Sequence, residues 1–421
     1  MRSPKLGGSG SRQYYRYYAG YTQEFVEDML RHLAVPSGGV VLDPWNGAGT
    51  TTVAAAAAGL NVRGFDVNPA AVIIGRARLI GSDVADSLVP IALDICDRAA
   101  SMRVKSNDSD LLGTWFGPVT AGEIRALERA TCRVLIDADS DSGFIGYDTS
   151  LRHSPLASLF YVALFRTVRN LVKKYVPSNP SWIKNPSGRR LGVPRSDLHD
   201  LFAKAVQLSN PYQGQLEIPL PTRDSMASVE VASSINLPLE TASVDAVVSS
   251  PPYCTRLDYV KATLPELAVL GLGKGDIRQL RDQMIGTPTI AGLSSDVRPD
   301  QWGAAAADLL ARVTAHSSVA SATYYRKYYT QYFQGMWTSL NELHRVVKAG
   351  SPAVLVVQDS FYKDIHVDLP ALVGDMSKAA GWSAWRRLNF NVPRTMAAIN
   401  PRSRRYRENF AATESAVVLT R

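Results

Sequence analysis

With 421 residues, 46% of them hydrophobic and 20% charged, the chain has the balance of a folded globular protein. It is too long for one small core, so several domains or one domain with a large insertion are expected. No apolar run approaches the ~20 residues that span a bilayer, and Met1 to Gly8 carries no signal-peptide core, so no membrane partner is expected and the cytoplasm is the expected compartment. The three cysteines, Cys96, Cys132 and Cys254, are far apart and outside any CxxC, which argues against a disulfide framework or a zinc site.

The net charge of +8 is unevenly spread. No Asp or Glu occurs from Leu151 to Ser196, a span that holds Lys173, Lys174, Lys184, Arg189 and Arg190. A second acid-free span, from Met376 to Arg407, carries Arg402, Arg404 and Arg405. The chain before Glu24 is also free of acids. Three separate basic segments suit a polyanion that crosses several parts of one face.

In chain order, a Gly/Ser-rich start leads to Thr22, which resembles a helix N-cap. Phe25, Met29, Leu30 and Leu33 follow at helical spacing, and Pro36-Ser37-Gly38-Gly39 stops the helix. Val40 to Asp43 reads as a strand, Pro44-Trp45-Asn46-Gly47-Ala48-Gly49 as a loop, Thr50 to Leu60 as an alanine-rich helix and Asn61 to Asp66 as the next strand. This is one β-α-β unit with a right-handed connection. The stretch from about 72 to 215 reads as mostly helical, with helices over 70–80, 83–104, 119–134, 155–176 and 196–207 and a basic loop over 177–194. Strand signals return at Ile218 to Pro221, Asn236 to Glu240 and Val244 to Val248. A helix is expected over 263–284, a loop over 285–300, a long helix over 302–347 broken near 315–320, a strand at Ala353 to Val357, a helix from Leu369 to Ala380 and a last strand at Ala416 to Leu419. The expected organisation is therefore a sheet domain in two halves, 1–80 and 216–421, around an inserted helical, basic region at 81–215.

Two stretches carry chemistry. Asp43 to Thr51 follows a strand and opens a helix, and its two glycines let the backbone approach a ligand. The loop has neither a third spaced glycine nor a P-loop lysine, which disfavours a nucleoside triphosphate. Asp66, at the end of the next strand, can accept hydrogen bonds from ribose hydroxyls, so a dinucleotide remains open on this unit alone. The second stretch, Ser249-Ser250-Pro251-Pro252-Tyr253, ends a buried strand in a rigid turn, because neither proline can continue a ladder.

Together, DPxxGxGTT (Asp43 to Thr51) and SPPY (Ser250 to Tyr253) resemble the amino-methyltransferases of DNA, over about 22–75 and 220–275. The resemblance implies a class I methyltransferase fold, a Rossmann-like doubly wound α/β sheet, with S-adenosyl-L-methionine as cofactor. It implies that the insertion reads the target sequence. By the same resemblance Phe25 belongs to a small motif that closes over the methionine end. Asp43 faces the methionine amine, Pro44, Trp45, Asn46, Gly47, Gly49, Thr50 and Thr51 form the cofactor loop, Asp66 takes the ribose, and Asp224 takes the adenine edge. Trp45-Asn46 departs from the Phe and small residue usual in the family. Ser250, Pro251, Pro252 and Tyr253 form the catalytic turn, in which Ser250 and the Pro251 carbonyl hold the exocyclic amine of an extruded base and Tyr253 stacks on it. Serine at this turn favours cytosine N4, whereas the motif order more often accompanies adenine N6. The implied partners are double-stranded DNA and a cognate restriction endonuclease, in a prokaryotic cytoplasm. Methylation of an RNA base and a non-catalytic DNA-binding subunit are the rival readings.

Three weaker features complete the reading. Arg256, Asp258 and Tyr259 are expected to line or brace the base pocket. Tyr324 to Tyr329 stacks on bases or packs as an amphipathic helix. Asp137 to Asp141 with Asp148 imitates a calcium loop, but Ser142 holds the glycine position and the last ligand is not Glu, so an acidic turn and no metal are expected.

Overall fold

A computed structural model describes residues 3–4, 14–15, 20–107, 109–137, 153–177, 183–210, 226–290, 297–392 and 412–421. Its centre is a seven-stranded sheet built from β1 (Val40–Asp43), β2 (Asn61–Asp66), β3 (Ala227–Val231), β4 (Ala246–Ser249), β5 (Pro352–Gln358), β8 (Ala384–Val392) and β9 (Ala412–Thr420). The order is β3-β2-β1-β4-β5-β9-β8. The first five strands are mutually parallel, and β9 runs antiparallel to both β5 and β8. This is the class I methyltransferase fold. A short hairpin of β6 (Ser360–Tyr362) and β7 (Ile365–Val367) stands beside it.

The near-continuous apolar strands follow from burial on both faces. Alternate residues divide between two cores. Val41, Val248, Val354 and Val356 meet α1 (Gln23–Leu33) and α2 (Thr50–Ala57). Leu42, Val247, Leu355 and Val357 meet α11 (Ala304–Ala315), α12 (Arg326–Val346) and α13 (Leu369–Ala379). A third core joins α3 (Pro69–Ala77), α4 (Leu88–Ser101), α5 (Pro118–Leu135), α6 (Pro155–Leu171) and α7 (Arg195–Ser209) to α9 (Leu264–Val269). The helices between 81 and 215 thus share apolar contacts with elements on both sides of them in the chain.

Thr22 caps α1 through a bond from the Phe25 amide, as expected. The break near 315–320 is present and is followed by a π-helical turn, Ser321–Tyr325, before α12. Elsewhere the expectation and the fold differ. The helix expected over 263–284 is two pieces, α9 and α10 (Lys274–Gln283), preceded by a short α8 (Tyr259–Ala262). Asn236 to Glu240 forms no named strand, while Ile218 to Pro221 lies outside the described residues. Strands β3 and β8 carried no sequence signal. Each lies at a sheet edge, and their Glu230, Arg386, Arg387 and Asn389 break the apolar run that marks a central strand. No described helix is long and apolar enough to cross a membrane.

Candidate active site

In a parallel sheet, ligands settle where the strand order reverses, at the carboxyl ends. Here that point lies between β1 and β4, which are hydrogen-bonded neighbours. The loop after β1 and the turn after β4 are therefore placed side by side. The Ser249 hydroxyl donates to Asp43 Oδ1 at 2.5 Å, tying the two motifs directly. One cleft, with about 790 Å³ of empty space counted out to its open mouth, is lined by Asp43 to Ala48, Thr50, Asp66, Ser250 and Pro252 among others.

The loop is held by its own backbone. Asn46 N–H donates to the Phe65 carbonyl at 2.9 Å, and Gly49 N–H to the Asn46 carbonyl at 2.8 Å. The Asn46 side chain turns inward and accepts from the Thr52 hydroxyl. It fits only because Gly64 and Gly75 lack side chains, since a Cβ at either would stand 2.6–2.7 Å from the Asn46 amide group. Gly49 has φ of 78° and a Cβ there would sit 3.0 Å from the Gly75 Cα, so backbone conformation and close approach both require glycine.

Asp66 accepts from the Gly47 and Asn68 amides, each at 2.9 Å. Asp43 accepts from Ser249 and from the Trp45 amide at 3.2 Å. Burial pushes both carboxyls up to about 6, against the lowering effect of those donors. Two carboxylates share one cleft, and among the described residues neither forms an ion pair, an arrangement that fits a ligand carrying positive charge and hydroxyl donors. The sign of the pH effect follows. Between about pH 4 and 6 the folded state holds protons that the unfolded chain has released, so the ligand-free protein loses stability as pH rises through that window. A thermal melting series across pH 4–7 is expected to show this fall, and Asp43→Asn is expected to shrink it.

Not every residue named from the sequence lines the cleft. Phe25 is fully buried behind it, with its ring edge-on to Phe390 at 5.9 Å. Tyr21 lines it in its place and bonds Thr51 and Asp43 at 2.5 and 3.5 Å. Thr51 is buried and donates to the Val248 carbonyl at 3.0 Å. Gly49 and Pro251 stand behind the lining, and Tyr253 donates its hydroxyl to Glu414 at 2.9 Å. Asp224 lies outside the described residues; from the β3 end the cleft receives Ser233 and Ser234. Tyr21, Ser233, Ser234 and Glu414 were missed. Tyr21, next to the Thr22 cap, is the one of these that a sequence signal could have found.

The turn after β4 is braced from several elements. Ser250 Oγ donates to the Val356 carbonyl at 3.0 Å, so its hydrogen is committed and its lone pairs remain to accept. The Tyr332 hydroxyl donates to the Pro252 carbonyl at 2.8 Å. Gly286, with φ of 77°, presses against the turn; a Cβ there would lie 3.3 Å from the Tyr253 carbonyl oxygen. Cys254 is buried, and desolvation pushes its thiol far above the usual range, so it is packing rather than a nucleophile.

Its relatives are Type II methyltransferases. The chain is 22% identical over 298 residues to Type II methyltransferase M.BsoBI of Geobacillus stearothermophilus, covering 64% of this chain and 54% of that protein. It is 27% identical over 148 residues to Type II methyltransferase M.AvaI, both of Nostoc sp. and of Anabaena variabilis, covering 33% of this chain and 31% of theirs. The chain thus spans about half of the first relative's length and less of the others. No family model matches.

Of the basic residues, Lys173, Lys174, Lys184, Arg189 and Arg190 are exposed. Others in the same run are not free. Arg169 is bound to Glu266, Arg195 to Glu123, and Arg166 donates to the Tyr14 carbonyl. A run without acids in sequence meets acids in space. Arg402, Arg404 and Arg405 lie outside the described residues, as does the 138–148 part of the calcium-like stretch. Among the described residues, no group of three His, Cys, Asp or Glu could hold a metal.

Proposed function

We propose that this chain is a DNA methyltransferase that moves the methyl of S-adenosyl-L-methionine to an exocyclic base amine, most favourably N4 of cytosine. The observation that carries the reading is the joining of the Asp43 loop and the Ser250 turn in one cleft at the switch point of the sheet. The Type II methyltransferase relatives support it.

S-adenosyl-L-methionine supplies a methyl group on a positively charged sulfonium. Asp43 faces the cationic end of the cofactor, and Asp66, fixed by two backbone amides, accepts from the ribose hydroxyls. Ser233 and Ser234 border the β3 side of the same cleft. The base leaves the duplex because its amine is otherwise paired. Ser250 Oγ, its own hydrogen on Val356, accepts one amine hydrogen, and the Pro251 carbonyl accepts the other. The amine is held pyramidal with its lone pair free to attack. The proline pair and the Tyr332 bond keep the acceptors in place before the base arrives. No strong base is needed, since the product sheds its proton after transfer. Cytosine is favoured by the resemblance, in which serine at this turn more often accompanies cytosine-acting enzymes. A sequence-reading role for 81–215 and a cognate endonuclease belong to the same proposal, as does phosphate contact by Lys173, Lys174, Lys184, Arg189, Arg190, Arg402, Arg404 and Arg405.

The test is incubation with labelled S-adenosyl-L-methionine and duplex DNA, followed by mass spectrometry of the nucleosides. N4-methylcytosine is expected. N6-methyladenine would reassign the base, and no transfer to any DNA would overturn the reading. Separately, Asp66→Ala is expected to weaken cofactor binding roughly 10-fold or more, the loss of charge-assisted bonds worth about 1.5–3 kcal/mol, as read by calorimetry.

A further inference from the structure

Just beyond the Ser250 turn the backbone is strained in a concentrated way. Arg256, Ala320 and Lys363 are three of the five non-glycine residues with positive φ in the described chain, at 57°, 68° and 57°. All three flank one aromatic group. Ala320 caps the π-helical turn that carries Tyr324 and Tyr325, and Lys363 follows Tyr362, whose ring lies 4.7 Å from that of Tyr325. Strained backbone and π-helical turns gather at functional sites, because only a selected role keeps them.

What this group presents is a clamped guanidinium. Arg256 is exposed, its carbon 5.0 Å from the Tyr325 ring centroid and 6.0 Å from that of Tyr324. Its Nη1 donates to the Tyr325 hydroxyl at 3.1 Å, and its backbone amide donates to the Tyr328 hydroxyl at 3.1 Å. One face of the cation is backed by tyrosine and the arginine itself stays solvent-accessible. Arg326 and Lys327, next in sequence to Tyr325, are exposed and add positive charge. The group is joined to the cleft: Tyr324 donates to the Pro288 carbonyl at 2.8 Å, while Ile285 lines the cleft and Gly286 touches Pro252 and Tyr253. An arginine plane beside aromatic rings is a stacking surface for a nucleobase. In a duplex both base faces are covered, so this surface fits an unstacked nucleotide.

We propose that Arg256, held against Tyr325 and Tyr324, is a stacking platform for an unpaired nucleotide of the DNA strand that flanks the extruded base. This rests on the DNA methyltransferase reading above. Arg256 is here a substrate-positioning residue.

The experiment measures binding of a fluorescent single-stranded mixed-sequence DNA oligonucleotide to the full chain over a salt series. Arg256→Lys keeps the charge and loses the plane. It is expected to weaken binding roughly 5- to 150-fold, the range for one base stack, with the salt slope unchanged. Arg256→Gln is expected to lose a similar affinity and to lower the slope by about 0.7. Cofactor affinity and thermal midpoint serve as folding controls and are expected to stay at wild-type values. If Arg256→Lys binds as tightly as wild type, charge alone is at work and the platform is overturned, even where wild-type methylation is robust. If the wild type methylates no DNA, the reading of function falls, and the Lys and Gln comparison decides the platform by itself.

Discussion

Ser250→Ala is expected to lower the rate of methyl transfer about 10²- to 10³-fold while leaving S-adenosyl-L-methionine affinity within a few fold. The magnitude is that of removing one preorganised polar contact aimed at a reacting group. The separation of effects follows from the geometry. The hydroxyl donates to the Val356 carbonyl on β5, not to the cofactor loop, whereas Asp43 and Asp66 are held by Ser249 and by backbone amides. The measurement is single-turnover methylation beside calorimetric cofactor binding. A fall in both to the same extent would show that Ser250 shapes the cleft rather than the amine. Tyr253→Phe gives the companion result: the ring that would stack on the base remains, so transfer is expected to survive better than in Tyr253→Ala, although the bond to Glu414 is gone.

Arg169→Met is expected to destabilise the folded chain by about 3–5 kcal/mol, the usual cost of stripping one partner from a buried ion pair. Glu266 on α9 has a fully buried side chain. Its Oε1 receives the Tyr15 hydroxyl at 2.5 Å, and its Oε2 receives Arg169 Nη2 at 2.8 Å. Without Arg169 the carboxylate would be buried with one neutral donor. Arg169 also donates to the Ala262 carbonyl, and Arg125 on α5 donates to the Val269 carbonyl at 2.6 Å while pairing with Asp110. These arginines stitch helices of the 81–215 region to the segment that follows the Ser250 turn. Chemical denaturation reads the loss. The double variant Arg169→Met/Glu266→Gln is expected to regain part of it, because the orphaned charge is gone.

The two arginines also show why the sequence under-read this region. Arg169 sits in an acid-free run, and its partner is 97 positions away. Counting charges along the chain suggested separate basic segments for a polyanion, but folding neutralised some of those charges and left others, such as Lys173 and Arg189, exposed. The tyrosines of 324–329 divide in the same way. Tyr328 and Tyr329 are buried in the core, while Tyr324 and Tyr325 stay half-exposed around Arg256.

What the sequence determined by itself was local and periodic. The β-α-β unit was legible to within a few residues because its strands are uniformly apolar, its helix is alanine-rich, and its loop needs glycine. The Ser250 turn was legible because two prolines end a strand in only one way. The resemblance carried by these motifs led to the class I methyltransferase fold. Strands β3 and β8 and the broken helix at 264–283 were decided by tertiary structure, since edge strands and short helix pieces carry little pattern of their own. So were the Tyr21 wall, the niche that Gly64 and Gly75 leave for Asn46, and the bond from Tyr253 to Glu414. Each depends on which residues the sheet order brings together, and partners on different elements leave no mark in local spacing. The Ser250 turn was recognisable alone. Its place against the Asp43 loop required the adjacency of β1 and β4.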